Sequence, residues 1–148
     1  MAVGAFTVVN DALERILNGT VDLDSDTFYA ALITEAHTAA VTNSTWADIS
    51  ASHASGTNYS PVDQSLTVAE AAGVVTVDSN DANFGNNVTV EAKYCYILAG
   101  DEAAPAAGDA IIGYVDLDDS SGTATISSTS GDFVVSWNAS GLFTVQRQ

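Results

Sequence analysis

The apolar positions of this chain keep a helical rhythm near the start and a strand rhythm over most of its remaining length. Between Asn10 and Asn18, the residues Ala12, Leu13, Ile16 and Leu17 recur at helical spacing. Asn10 reads as an N-cap, Asp11 and Glu14 lie near the positive end of the helix dipole, and Asn18-Gly19 supplies a stop. The pattern predicts one short amphipathic helix over residues 10–18, with its apolar stripe covering an edge or a face of a sheet. Residues 5–9 read as a brief strand, and residues 1–9 equally as an N-terminal arm that orders when tied down.

Beyond the helix, residues 27–34 (Thr-Phe-Tyr-Ala-Ala-Leu-Ile-Thr) form an apolar run with polar bounds, which predicts a buried strand. Residues 35–65 are polar and turn-rich, punctuated by Gly56, Asn58 and Pro61, with Trp46 and Ile49 as isolated anchors. A stretch this long without its own elements is expected to be a functional loop. Strands then come in quick succession over residues 66–69, 74–78, 88–98, 110–117, 123–127, 133–137 and 142–145. Val88, Val90, Ala92, Tyr94 and Tyr96 alternate with Thr89, Glu91, Lys93 and Cys95, which gives one apolar and one mixed face. Turn signals separate the runs, and no helices alternate with them. The expected fold is therefore all-β: an antiparallel β-sandwich or barrel-like domain with one short N-terminal α-helix, a single domain over residues 1–148.

Charge narrows the partners. The chain has 19 acidic residues against 3 basic ones, a formal net charge of −16. Its cations, Arg15, Lys93 and Arg147, are dispersed, whereas phosphate neutralisation needs a cluster of them. An anionic leaflet repels such a chain for the same reason. No nucleic-acid partner and no membrane partner is expected. The start, Met1-Ala2-Val3-Gly4, lacks a basic leader and a long apolar core, so a cytoplasmic origin is expected. Cys95 is the lone cysteine, in the run Tyr94-Cys95-Tyr96-Ile97-Leu98, and reads as a small buried hydrophobe.

Candidate chemistry is sparse. His37 and His53 both fall in the polar stretch, and no nucleophile-elbow pattern surrounds a serine, so no catalytic set emerges and no enzyme is expected. Glu35, Glu91 and Glu102 supply carboxylates from which a glycosidase pair could be drawn only in space. Asp22, Asp24 and Asp26 share one side of an extended segment, a calcium-like oxygen cluster, although an EF-hand would need Gly and Glu where Thr27 and Ile33 stand. Solvated turns explain those aspartates equally well, and no cofactor is assigned. Large aromatics anchor interfaces more often than chance, which nominates Trp46, Tyr59 and Trp137. A core position is the competing reading for Trp46, and for Trp137, which alternates with Phe133 and Val135.

The order of segments resembles a family of small structural proteins of tailed-bacteriophage virions. The helix end Leu17-Asn18-Gly19-Thr20 leads into Val21-Asp22-Leu23-Asp24-Ser25-Asp26-Thr27 and then Phe28-Tyr29-Ala30-Ala31-Leu32-Ile33-Thr34. Trp46-Ala47-Asp48-Ile49, Gly56-Thr57-Asn58-Tyr59, Tyr94-Cys95-Tyr96-Ile97-Leu98, Ile112-Gly113-Tyr114-Val115-Asp116 and Gly141-Leu142-Phe143-Thr144-Val145 continue the series. The chain departs from the family at Ser60-Pro61-Val62-Asp63, where members tend to have a glycine-rich turn. The resemblance implies a capsid decoration (cement) or head-fibre protein on the outer head surface, made in the bacterial host cytoplasm. It implies the major capsid protein as partner and a homo-oligomer, with a trimer favoured. A tail, neck or fibre protein that recognises a host glycan or protein is the alternative.

Overall fold

The computed structural model describes residues 3–118 and 124–146. At its centre is an antiparallel sheet of five strands: β1 (Thr7–Val8), β2 (Phe28–Ile33), β3 (Val62–Gln64), β8 (Tyr94–Ala99) and β9 (Ala110–Asp116). Their order is β1-β9-β8-β2-β3, and β2, β8 and β9 are its buried middle. Strand β2 is buried at all six positions, because both of its faces are covered. That is why it reads in the sequence as an unbroken apolar run rather than an alternation.

One face carries Tyr29, Ala31, Ile33, Tyr94, Tyr96, Leu98 and Ile111, and two helices lie over it. Helix α1 (Asn10–Leu17) contributes Ala12, and the one-turn α2 (Trp46–Ile49) contributes Trp46 and Ile49. The opposite face carries Phe28, Ala30, Leu32, Cys95, Ile97, Ile112 and Val115. It packs against residues of three smaller antiparallel sheets. These pair β7 (Val88–Ala92) with β10 (Ile126–Gly131), β6 (Ala82–Asn83) with β11 (Val134–Val135), and β4 (Leu66–Ala71) with β5 (Val74–Ser79) and β12 (Phe143–Gln146). The result is an all-β, sandwich-like fold with a short helix near the N-terminus.

Several expectations need correction. Helix α1 starts at Asn10 itself, and the N-cap is Val9, which makes no side-chain cap. Its first donors are met by main chain instead: Val9 N–H by Ile112 O at 3.2 Å and Asn10 N–H by Val41 O at 2.9 Å. The apolar stripe of α1 is only half covered, with Ala12 buried while Leu13 and Leu17 remain 46% and 86% exposed.

The run expected as one strand over residues 88–98 is two strands in different sheets. A bend at Lys93 separates β7 from β8, its N–H donating to Ile33 O and its carbonyl accepting from Leu117 N–H, both at 2.9 Å. The bend shifts the alternation, so that Val88, Val90 and Ala92 share a core with Cys95 and Ile97 rather than with Tyr94 and Tyr96. The polar stretch of residues 35–65 is not structureless: it holds α2, a 3-10 turn at Ser50–Ser52, and β3. The expected strand start at residue 123 and the cation Arg147 lie outside the described residues, as do the first two residues of the expected arm.

Strand β9 contains a bulge. Ile97 faces Gly113 and Leu98 faces Ile111, which leaves Ile112 extra in the register. Gly113 has no Cβ to offer, and one placed there would fall into the Thr7 carbonyl and the Phe6 ring. The glycine is what lets β1 lie against β9 at this point, with Thr7 opposite Tyr114 and Val8 opposite Gly113.

Candidate functional site

The polar stretch after β2 runs back along the edge of that strand. At one end β3 pairs with Phe28, Tyr29 and Ala30. At the other, His53 bridges to Ile33, Ala54 N–H donates to Leu32 O at 2.9 Å, and Thr34 N–H donates to Ser52 O at 2.9 Å. Between the two, the Tyr59 hydroxyl accepts the Leu32 N–H at 2.8 Å. A main-chain donor in a fully buried strand must find an acceptor, and here a side chain supplies it.

Three of the aromatic and imidazole rings in this stretch form a chain leading inward. Trp46 meets His53 edge-on at 4.9 Å between centroids, His53 meets Tyr59 at 5.6 Å, and Tyr59 meets Phe84 at 5.6 Å. His53 Nε2 lies 3.1 Å from the Tyr59 hydroxyl. Burial holds the His53 imidazole below its ordinary pKa and pushes the Tyr59 phenol up. Trp46 also packs against Tyr29, whose hydroxyl donates to Asp109 Oδ2 at 3.0 Å. The Asp48 carboxylate fixes the start of α2 by accepting the Ser44 and Thr45 N–H groups at 2.7 and 3.0 Å, which holds its pKa down.

An open cleft of about 710 Å³ lies at the outer end of this ring chain. Its lining includes Trp46, His53, Pro61, Val62, Asp63 and Glu102. Apolar walls with two carboxylates make it a place for a polar or cationic group, and the departure Ser60-Pro61-Val62-Asp63 forms part of it. Glu102 comes from the connection between β8 and β9, which nothing in the local sequence ties to the residues around Trp46.

Of the three interface candidates, the structure brings two together. Trp46 is 8% exposed and lines the cleft, while Tyr59 is half-buried one ring further in. Trp137 is elsewhere and inside: its Nε1–H donates to Asn80 O at 2.8 Å and Gln64 Oε1 at 3.2 Å, and Phe6 meets its ring edge-on. Trp46 and Trp137 both occupy core positions, although each also lines a cleft. A second cleft of about 710 Å³, lined by Phe6, Trp137 and Phe143 among others, opens beside it. His37 pairs with Asn43 Oδ1 at 3.1 Å and packs on Tyr96, apart from the contacts of His53.

The segment of Asp22, Asp24 and Asp26 is a turn rather than an extended strand. Asp22 Oδ1 accepts the Asp24 N–H at 3.0 Å and Asp26 Oδ2 accepts the Asp22 N–H at 2.9 Å, so these carboxylates serve their own main chain. Among the described residues, no three His, Cys, Asp or Glu side chains gather as metal ligands would. The two described cations are both paired: Arg15 with Asp11 at 2.6 Å, and Lys93 with Asp116 at 3.7 Å. Among the described residues, no helix is long and apolar enough to cross a membrane. Neither a family model, nor a curated protein, nor a solved structure matches this chain.

Proposed function

We propose that this chain is a structural protein of a tailed-bacteriophage virion, a decoration protein that binds the outer head surface as a homo-oligomer and stabilises it. What carries the reading is the ordered series of segments that resembles that family, from Leu17-Asn18-Gly19-Thr20 to Gly141-Leu142-Phe143-Thr144-Val145. Two physical features support it. A net charge of −16 keeps closely spaced copies from coalescing and keeps them away from packaged nucleic acid. Apolar side chains also stand in solvent at Leu13, Leu17, Val68 and Val145, where a binding protein presents them. On this reading the partners are the major capsid protein and further copies of the chain, and the protein works by binding rather than by catalysis.

The cleft beside Trp46 and His53 favours a second reading, a neck, tail or fibre protein that recognises a host glycan or protein, because a ring wall with carboxylates suits a polyhydroxylated ligand. Copy number per purified particle, measured by quantitative mass spectrometry against the major capsid protein, separates the two. A ratio near parity, or a large simple fraction of it, is the expected result. A handful of copies per particle would sink the decoration role and leave host recognition. Heads depleted of the protein are expected to open at lower temperature, since a ligand that binds only the assembled shell stabilises it.

A further inference from the structure

Strand β4 is an edge without a guard. Within its sheet it pairs with β5 on one side, and among the described residues no main-chain partner meets its other side. Five of its six residues are exposed, and only Leu66, at its start, packs on the core. Edge strands are ordinarily protected by proline, lysine, a bulge or a covering segment. Residues 66–71, Leu-Thr-Val-Ala-Glu-Ala, contain no proline, no lysine and one charge, Glu70, and their register with β5 runs unbroken from Leu66–Ser79 to Ala71–Val74. The contrast with β2 is informative, since the same chain covers that edge with a whole segment and a tyrosine hydroxyl.

We propose that the outer edge of β4 is where a second copy of this chain adds, antiparallel, about a twofold axis through Val68. Geometry sets the register. Ala72 and Gly73 make a two-residue turn with both φ values positive, +53° and +82°, so Ala71–Val74, Ala69–Thr76 and Thr67–Asp78 are the hydrogen-bonded pairs of the hairpin. The main-chain donors and acceptors of Leu66, Val68 and Glu70 therefore point outward. Centred on Val68, the strand is its own complement: Val68 meets Val68 of the second copy, and Leu66 meets Glu70.

Charge selects a second copy as the occupant. Two chains of net charge −16 can approach only through surfaces poor in carboxylates, and residues 66–77 contain one, Glu70. That carboxylate is tied back into its own hairpin, accepting the Gly73 N–H at 2.7 Å, and the proposed register keeps the two Glu70 side chains away from direct opposition. Val68 is 42% exposed, and the half-buried Val75 lies diagonal to it on the same face, so apolar surface continues from β4 onto β5 beside the junction.

This inference rests on the preceding reading only for the homo-oligomer, with a twofold pair in place of the trimer that the resemblance favours, so the test uses the purified full chain without particles. Sedimentation velocity at tens of micromolar is compared for wild type, Val68→Lys and, at an exposed apolar residue away from this sheet, Val41→Lys, with circular dichroism and melting confirming the fold of each. Wild type and Val41→Lys are expected to sediment as dimers and Val68→Lys as a monomer with an unchanged spectrum. If Val68→Lys fails to fold, Val68→Cys takes its place, and a dimer that is covalent after mild oxidation is expected there but not for Thr67→Cys. A wild-type chain that stays monomeric overturns the proposal, as does a folded Val68→Lys that associates like wild type. The copy number on particles is measured separately, so failure here leaves the decoration reading standing, and the reverse holds as well.

Discussion

The Tyr59 hydroxyl accepts the Leu32 N–H at 2.8 Å, across 27 positions of sequence. This contact closes the gap between β3, which covers one end of β2, and the bridge from His53 to Ile33, which covers the other. Leu32 is fully buried, so its N–H has no water to turn to if the hydroxyl is removed. Tyr59→Phe is expected to destabilise the fold by about 1–3 kcal/mol, the cost of an orphaned buried donor. Urea unfolding checks it: the midpoint should fall with the slope unchanged. An unchanged midpoint would mean that another group satisfies Leu32.

His53 gives the same region a pH dependence. Burial lowers its pKa below the ordinary 6.5, so the unfolded chain binds the proton more readily than the folded one. Its contribution to stability is therefore complete above about pH 6.5 and is lost as pH falls through the lowered folded value. Lowering the pH also relieves the repulsion among carboxylates, so the difference between two proteins is the useful quantity. Between pH 7.5 and 5.5, the melting temperature of wild type should fall relative to that of His53→Gln. Parallel curves for the two would show that the imidazole does not titrate differently on folding.

How much of this fold is legible in the sequence differs from residue to residue. Residues 27–34 announced β2 because polar neighbours bound a run too apolar for a surface strand. The bend at Lys93 leaves no such mark, because residues 94–98 are buried on both faces and such a run carries no phase. The alternation of Val88, Val90 and Ala92 was real, and only the bend reveals that it continues through Cys95 and Ile97. Asn10 has the chemistry of a cap, yet it is the first residue of the helix, and its N–H is met by the Val41 carbonyl from a distant position. Trp46 and Tyr59 were visible as large aromatics. That they join His53 in one ring chain, with Glu102 at the cleft, is tertiary information that no local pattern holds.

Gly113 is a test of the bulge in β9. Adding a side chain there pushes against the Thr7 carbonyl and the Phe6 ring, and the main chain of β1 has little room to yield because its register is fixed to β9. Gly113→Val is expected to cost about 1–3 kcal/mol through overpacking. The same variant should free the N-terminal segment, so limited proteolysis ahead of residue 10 should quicken. Slow cleavage with lost stability would place the strain elsewhere in β9.

The turn at Ala72-Gly73 is open to improvement. Ala72 holds a left-handed conformation, φ +53°, that costs an L-residue with a Cβ roughly 1–2 kcal/mol and that asparagine tolerates better. Ala72→Asn makes the turn Asn-Gly, the favoured pair for this hairpin. A stability gain of up to about 1 kcal/mol is expected in urea unfolding. A loss would mean that the turn is held by contacts other than its own dihedrals.

Salt should stabilise this protein, against the usual expectation for ion pairs. Among the described residues, two attractive pairs, Arg15 with Asp11 and Lys93 with Asp116, are weakened by screening, and if such pairs dominated, added salt would lower the melting temperature. They are outnumbered. Nineteen acidic residues against three basic ones leave most carboxylates with only other carboxylates for charged neighbours, so the summed field opposes the compact state. The screening length shortens from about 30 Å at 0.01 M to about 3 Å at 1 M, from the scale of the whole molecule to that of a contact. Repulsion across the molecule is therefore removed first, while the buried Lys93 is screened least. The melting temperature should rise steadily from about 10 mM to about 500 mM NaCl and level off beyond that. A fall over that range would mean that the two ion pairs outweigh the net charge, and the charge argument for which surfaces can meet would fail with it.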